Sequence, residues 1–159
     1  MKSTFSPPFF FLKTTGLHPP MDLLLLADPS INQIEKYLSN GECFVLKEND
    51  ETIAAIVLRR TGESILEIMN LAVKLEWRGR GIGQNLIRAA IEISHDSGMA
   101  VLQVGTGNSS LGPLAFYQKC GFRIARIEPN YFVENYDHPI WENSIQCTDK
   151  IILTQYVKK

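Results

Sequence analysis

The chain has 159 residues, 45% of them hydrophobic and 21% charged, with a formal net charge of −1. That length fits a single domain, residues 1–159, with a real core, and the composition is far from the disordered class. The absence of a basic surplus argues against a partner held through nucleic-acid phosphates. The three cysteines, Cys43, Cys120 and Cys147, are widely spaced without a Cys-x-x-Cys pair, so they read as reduced thiols of a cytoplasmic protein, and no metal-ligand spacing emerges. The apolar runs Phe9 to Leu12 and Leu23 to Leu26 are far below the roughly 20 residues of a membrane span. The first is also too short for a signal segment: Pro7 and Pro8 break the stretch from Met1 to Leu12 ahead of it, and Lys13 ends it.

In chain order, Phe9 to Lys13 is a plausible first strand, followed by a turn-rich stretch to Pro20. Met21 to Ala27 and Ile31 to Leu38 read as helices. The second has Ser30 as N-cap, a face made by Ile31, Ile34 and Leu38, and Gly41 as its stop. Cys43 to Leu46, Thr52 to Leu58 and Ser64 to Val73 form three consecutive antiparallel strands. After Gly81 the period changes: Ile82, Leu86, Ala90 and Ile93 fall on one stripe of a helix that ends before Gly98. Ala100 to Val104 is a buried strand, Leu114 to Lys119 a short helix closed by Gly121, Phe122 to Ile127 another strand, and Asp149 to Val157 the last. Between them, Glu128 to Cys147 carries Tyr131, Phe132, Tyr136 and Trp141 with no clear period, as a long functional loop does.

Arg78-Gly79-Arg80-Gly81-Ile82-Gly83 lies between a strand and a helix. A helix N-terminus presents unpaired N–H groups and a partial positive charge, and glycines let the backbone approach an anion closely, so the run suits a pyrophosphate. A solvated glycine turn has the same local appearance. A dinucleotide fingerprint would need glycine at Gln84 or Leu86, and a P-loop would need Gly-Lys-Ser/Thr; neither occurs.

The loop is preceded by Asn70-Leu71-Ala72-Val73 and followed by Asn108 and by Ala115-Phe116-Tyr117-Gln118-Lys119-Cys120-Gly121-Phe122. With these neighbours the chain resembles the GNAT superfamily of N-acetyltransferases, best from about Glu42 to Ile127. The loop matches that family's Arg/Gln-x-x-Gly-x-Gly/Ala motif, and the block ending at Phe122 matches its second motif. The resemblance implies an α+β fold, an α/β sandwich with a mixed, largely antiparallel sheet of about six to seven strands, two splayed central strands and about four flanking helices. The splayed strands here would be Ser64 to Val73 and Ala100 to Val104.

It also implies acetyl-CoA as co-substrate, without a metal, held by Leu71, Ala72, Val73, Arg78, Gly79, Arg80, Gly81, Ile82, Gly83, Gln84, Asn108 and Tyr117. A bulge in the first splayed strand would free the N–H groups of Leu71 and Val73, with Leu71 N–H donating to the thioester carbonyl. Tyr117 matches the family's proton donor to the departing thiolate; a packing tyrosine is the rival reading. Asn108 matches an asparagine that holds the pantetheine arm or a helix start, against an ordinary turn asparagine. Glu67 stands where histone acetyltransferases of the superfamily keep their base, against a solvated strand-face carboxylate. The segment 128–148 would lie on the acceptor side, where Tyr131, Tyr136 and Trp141 wall a pocket and Glu134, Asp137 or Glu142 attract a cationic amine, or where they simply form a satellite core.

The function expected is acetyl transfer from acetyl-CoA to a primary amine, of a small molecule or a peptide, by direct attack. A non-catalytic coenzyme A-binding regulatory module and an acyltransferase with another acyl donor stay open as alternatives, as does a homodimer.

Overall fold

The computed structural model describes residues 9–14 and 18–157; Pro7 and Pro8 lie outside them. Seven strands form one sheet in the order β1-β2-β3-β4-β5-β9-β6. They are β1 (Phe9–Lys13), β2 (Glu42–Glu48), β3 (Glu51–Arg60), β4 (Ile65–Val73), β5 (Val101–Gly107), β6 (Arg123–Glu128) and β9 (Lys150–Tyr156). Every neighbouring pair is antiparallel except β4 and β5.

Two apolar clusters explain the layering. β3 is buried on both faces, so Ile53 to Leu58 reads as an unbroken apolar run rather than an alternation. Ile56 and Leu58 join the cluster under α3 (Ile82–Asp96), with Leu86, Ile87 and Ala90. Ala55 and Val57 join the opposite cluster under α1 (Met21–Leu24) and α2 (Ile31–Leu38), with Leu24, Ile34 and Tyr37. The sheet is thus covered on both sides, as a sandwich requires.

Several elements differ from expectation. The Ser30 hydroxyl does cap α2, accepting from Gln33 N–H at 3.3 Å, but the buried face is Ile34 with Tyr37, and Ile31 is exposed. The helix ends at Leu38 with Ser39 as its C-cap, ahead of Gly41. α4 (Leu111–Lys119) starts three residues early and ends in a Schellman motif: Phe122 N–H donates to Tyr117 O at 3.1 Å and Gly121 N–H to Gln118 O at 3.0 Å. The accompanying apolar contact is edge-on packing of the Tyr117 and Phe122 rings at 5.7 Å. Residues 128–147 are not an irregular loop. They hold α5 (Tyr131–Asn135) and a hairpin of β7 (Ile140–Glu142) and β8 (Ile145–Cys147). Elements of three to five residues are too short to print a period in the sequence. α5 also raises the helix count above four. Among the described residues, no helix is long and apolar enough to cross a membrane.

Candidate active site

β4 and β5 pair only from Ile65 with Val101 to Ile68 with Val104. Beyond that point they diverge, and β4 carries an extra residue, Met69, where Val57 faces Asn70 but Leu58 faces Ile68. Past the bulge, Lys74 N–H donates to Ile53 O on β3 at 2.9 Å. Backbone groups alternate sides along an antiparallel strand, so Leu71 and Val73 direct theirs away from β3, into the space that β5 has left. Val73 O accordingly accepts from Arg78 Nε at 3.0 Å rather than from β3.

A cleft of about 650 Å3 opens at this gap, lined by Leu71, Ala72, Val73, Arg78, Gly79, Gly81, Ile82, Gly83, Gln84 and Tyr117. Its remaining lining, including Trp77, Pro113 and Phe116, had no distinct signal in the sequence beyond Phe116's place in the second motif. Gly79 and Gly81 have φ of 74° and 77°, a left-handed backbone that side chains resist, and the space beside them is open. Gly83 is required for a different reason: a Cβ there would come within 3.1 Å of the Phe116 ring, so its absence lets α4 approach α3. Gly81 is the N-cap of α3 and no side chain caps that helix, which leaves its first-turn N–H groups to a ligand. The donor set, the two open glycines and the apolar wall of Leu71, Pro113 and Phe116 fit a pyrophosphate with a pantetheine arm.

Arg80 and Asn108 do not line this cleft. The Arg80 guanidinium sits over the Trp77 ring, 4.6 Å from its centre. Asn108 is a brace: its Nδ2 donates to Gln146 O at 3.1 Å, and its Oδ1 accepts from Thr148 N–H at 2.8 Å and Asp149 N–H at 3.0 Å. Tyr117 is buried between Phe116 and Phe122. Burial, and then Cys120, push its phenol well above the ordinary value, so it stays protonated.

A second, smaller cavity of about 270 Å3 lies where α2, α5 and the β7–β8 hairpin approach β4 and β5, and both cavities touch Ala27. Glu67 lines it, buried, with Oε2 accepting from Gln103 Nε2 at 3.2 Å and Oε1 3.7 Å from Lys150 Nζ. The Lys150 ammonium also sits 4.4 Å from the centre of the Tyr131 ring. Tyr131 and Tyr136 line the cavity; Trp141 does not and is 64% exposed. On a strand of alternating sides, Ile140 and Glu142 face in and Trp141 between them faces out. Of the three acidic candidates only Glu142 lines the cavity, where it accepts from Ser110 Oγ at 2.6 Å. Among the described residues, no cluster of three His, Cys, Asp or Glu side chains is placed to hold a metal.

Sequence reasoning missed Asp28, which the fold makes central to this cavity. It accepts from Ser30 N–H at 3.0 Å, from Tyr136 Oη at 3.1 Å and from Tyr37 Oη at 3.4 Å. Asn70 Nδ2 extends the chain to Tyr37 Oη at 2.9 Å and to Leu24 O at 3.0 Å. Burial pushes the Asp28 carboxyl up, against these hydrogen bonds. Asp28-Pro29-Ser30 is legible as a helix-start turn, yet nothing local says that residue 136 will meet it.

Residues 39–124 match the family model of the acetyltransferase (GNAT) domain. The chain is 45% identical over 132 residues, 83% of its own length and 85% of the relative's, to the uncharacterized N-acetyltransferase YvbK of Bacillus subtilis (strain 168). It superposes with a TM-score of 0.90 and 43% identity on a GNAT family acetyltransferase from Elizabethkingia anophelis with acetyl-CoA bound, covering 95% of this chain and 99% of that one. A Bacillus subtilis acetyltransferase in complex with CoA gives a TM-score of 0.87 at 39% identity, covering 94% and 99%. The chain belongs to the GNAT family and is an acetyl-CoA-dependent acetyltransferase.

Proposed function

We propose, with that membership as the premise, that the protein acetylates a primary amine by direct attack, coenzyme A entering the larger cleft and the acceptor the smaller cavity. The observation that carries this reading is the meeting of two differently built cavities at the splay of β4 and β5. Bound acetyl-CoA supplies an activated acyl group and a sulfur leaving group. The chain supplies the rest. The N–H of Leu71, fixed in β4 and aimed into the gap, donates to the oxygen that gains negative charge, with Val73 N–H beside it holding the cofactor arm. The Tyr117 phenol, kept protonated by burial, delivers its proton to the sulfur. Arg78, Gly79, Gly81, Ile82, Gly83 and Gln84 hold the pyrophosphate at the start of α3, with Arg80 adding charge from above Trp77.

Glu67 serves as the base for the ammonium proton. It precedes Leu71 by four strand residues, about 13 Å of extended chain, so the proton passes through water. No enzyme thiol takes part: Cys43 and Cys120 line neither cavity, and Cys147, which lines the smaller one, has its thiol pushed up by burial. The test is thiol release from acetyl-CoA against a panel of amines. Amine-dependent release that falls about 10-fold or more in kcat in Glu67→Gln supports the reading. Coenzyme A binding without amine-dependent release would leave only a binding module.

A further inference from the structure

The charges around the smaller cavity are not equivalent. Its three carboxylates are all engaged: Asp28 with Ser30, Tyr37 and Tyr136, Glu67 with Gln103 and Lys150, and Glu142 with Ser110. Two of its three cations are not. Among the described residues, no hydrogen bond, ion pair or ring contact reaches the Arg59 guanidinium or the Lys36 ammonium. For Arg59 this is unexpected from register. It stands directly opposite Glu67 on the β3–β4 ladder, so the two side chains leave the same face of the sheet as neighbours, yet no ion pair joins them. The Glu67 carboxylate is turned toward β5 and β9, where Gln103 and Lys150 hold it. A partly buried guanidinium at a cavity wall, beside a carboxylate that has other partners, is a binding group for an anion from outside the chain.

The geometry points to an acceptor that carries an anion as well as its amine: we infer that Arg59, assisted by Lys36, forms a carboxylate subsite and that the acceptors are amino acids or other amino carboxylates. This rests on the reading of the smaller cavity as the acceptor site. The cavity is accordingly bipolar. The Asp28 turn, β4 and β7 supply its carboxylates and α5 its aromatic faces, with Lys150 of β9 set against Glu67 and Tyr131, while the β3 and α2 rim presents unpaired cations. At about 270 Å3 it fits a small molecule.

Two measurements test this. The first compares kcat/KM for 6-aminohexanoate with pentylamine and for leucine with isoamylamine, pairs that differ only in the carboxylate. The amino acids are expected to be preferred, and Arg59→Gln to lower that preference about 10- to 100-fold, while Arg60→Gln on the neighbouring exposed position leaves it alone. Equal use of both members of each pair, or a preference untouched by Arg59→Gln, overturns the subsite while leaving acetyl transfer intact. The second does not depend on turnover. Calorimetric binding of N-acetylleucine and N-acetyl-6-aminohexanoate is compared with that of N-isoamylacetamide and N-pentylacetamide, in wild type and Arg59→Gln. Tighter binding of the anions that disappears in the variant supports the subsite even if no amine in the panel is acetylated; anions bound no more tightly than the neutral amides sink it.

Discussion

The two cavities at the splayed strands are built by different rules. The larger cleft, proposed for coenzyme A, is made mainly of backbone: two N–H groups beyond the Met69 bulge, two left-handed glycines and an uncapped helix start, drawn from Leu71–Val73 and Arg78–Gln84 with α4 laid over them. The smaller cavity, proposed for the acceptor, is made of side chains from well-separated segments, among them Asp28, Arg59, Glu67, Tyr136 and Lys150. Its polar atoms are tied to one another across the chain, as in the bond from Tyr136 to Asp28 and the bond from Gln33 Nε2 to Asn135 O at 2.8 Å. A site made of backbone tolerates drift in most side chains but depends on a few glycines. A site made of side chains can change its ligand by single substitutions.

Three variants sharpen this contrast. The largest effect is expected from Tyr117→Phe, where the cleft depends on one side-chain proton. Its kcat should fall about 100-fold with little change in coenzyme A affinity, since the ring remains packed on Phe116 and Phe122. Single-turnover rates and calorimetric coenzyme A binding would check this together, and wild-type turnover would remove Tyr117 from the proton-donor role. Next comes Gly81→Val, which forces a β-branched residue into a left-handed backbone at a strain of about 1–3 kcal/mol. Coenzyme A should bind roughly 10-fold or more weakly, with the circular dichroism spectrum unchanged.

The smallest effect concerns the acceptor side. The Asp28 carboxyl is raised by burial above its ordinary value of 3.8. The folded state therefore holds this proton more tightly than the unfolded chain. The stability that this proton contributes is complete below that ordinary value and is lost as pH rises through the folded pKa. Asp28→Asn, neutral throughout, should flatten the fall of Tm over that window, and an unaltered pH profile would mean that Asp28 is not the group concerned.

Much of the molecule was legible in advance. The bounds of β1 and α2 match the sequence reading, and the apolar runs placed β2, β3, β4 and β9 to within a few residues. Where the reading failed, distance along the chain or element length was the cause. α5 and the β7–β8 hairpin are too short to show a period, and the residue type of Trp141 suggests a pocket wall where the strand's alternation turns it outward. The Asn108 side chain makes three hydrogen bonds to residues 146–149, which no spacing near position 108 announces.

The sequence by itself determined a glycine turn between a strand and a helix start, because the three are contiguous and their geometry is local. The layered class of fold was implied by the resemblance that this loop and the block ending at Phe122 carry, and the structure supplies its reason: β3 is buried on both faces and demands cover on each side of the sheet. Only the tertiary structure decided which side chains line the smaller cavity. The meeting of residues 28, 37, 70 and 136, and the parting of Arg59 from Glu67 in favour of Lys150, follow from packing between segments far apart in the chain.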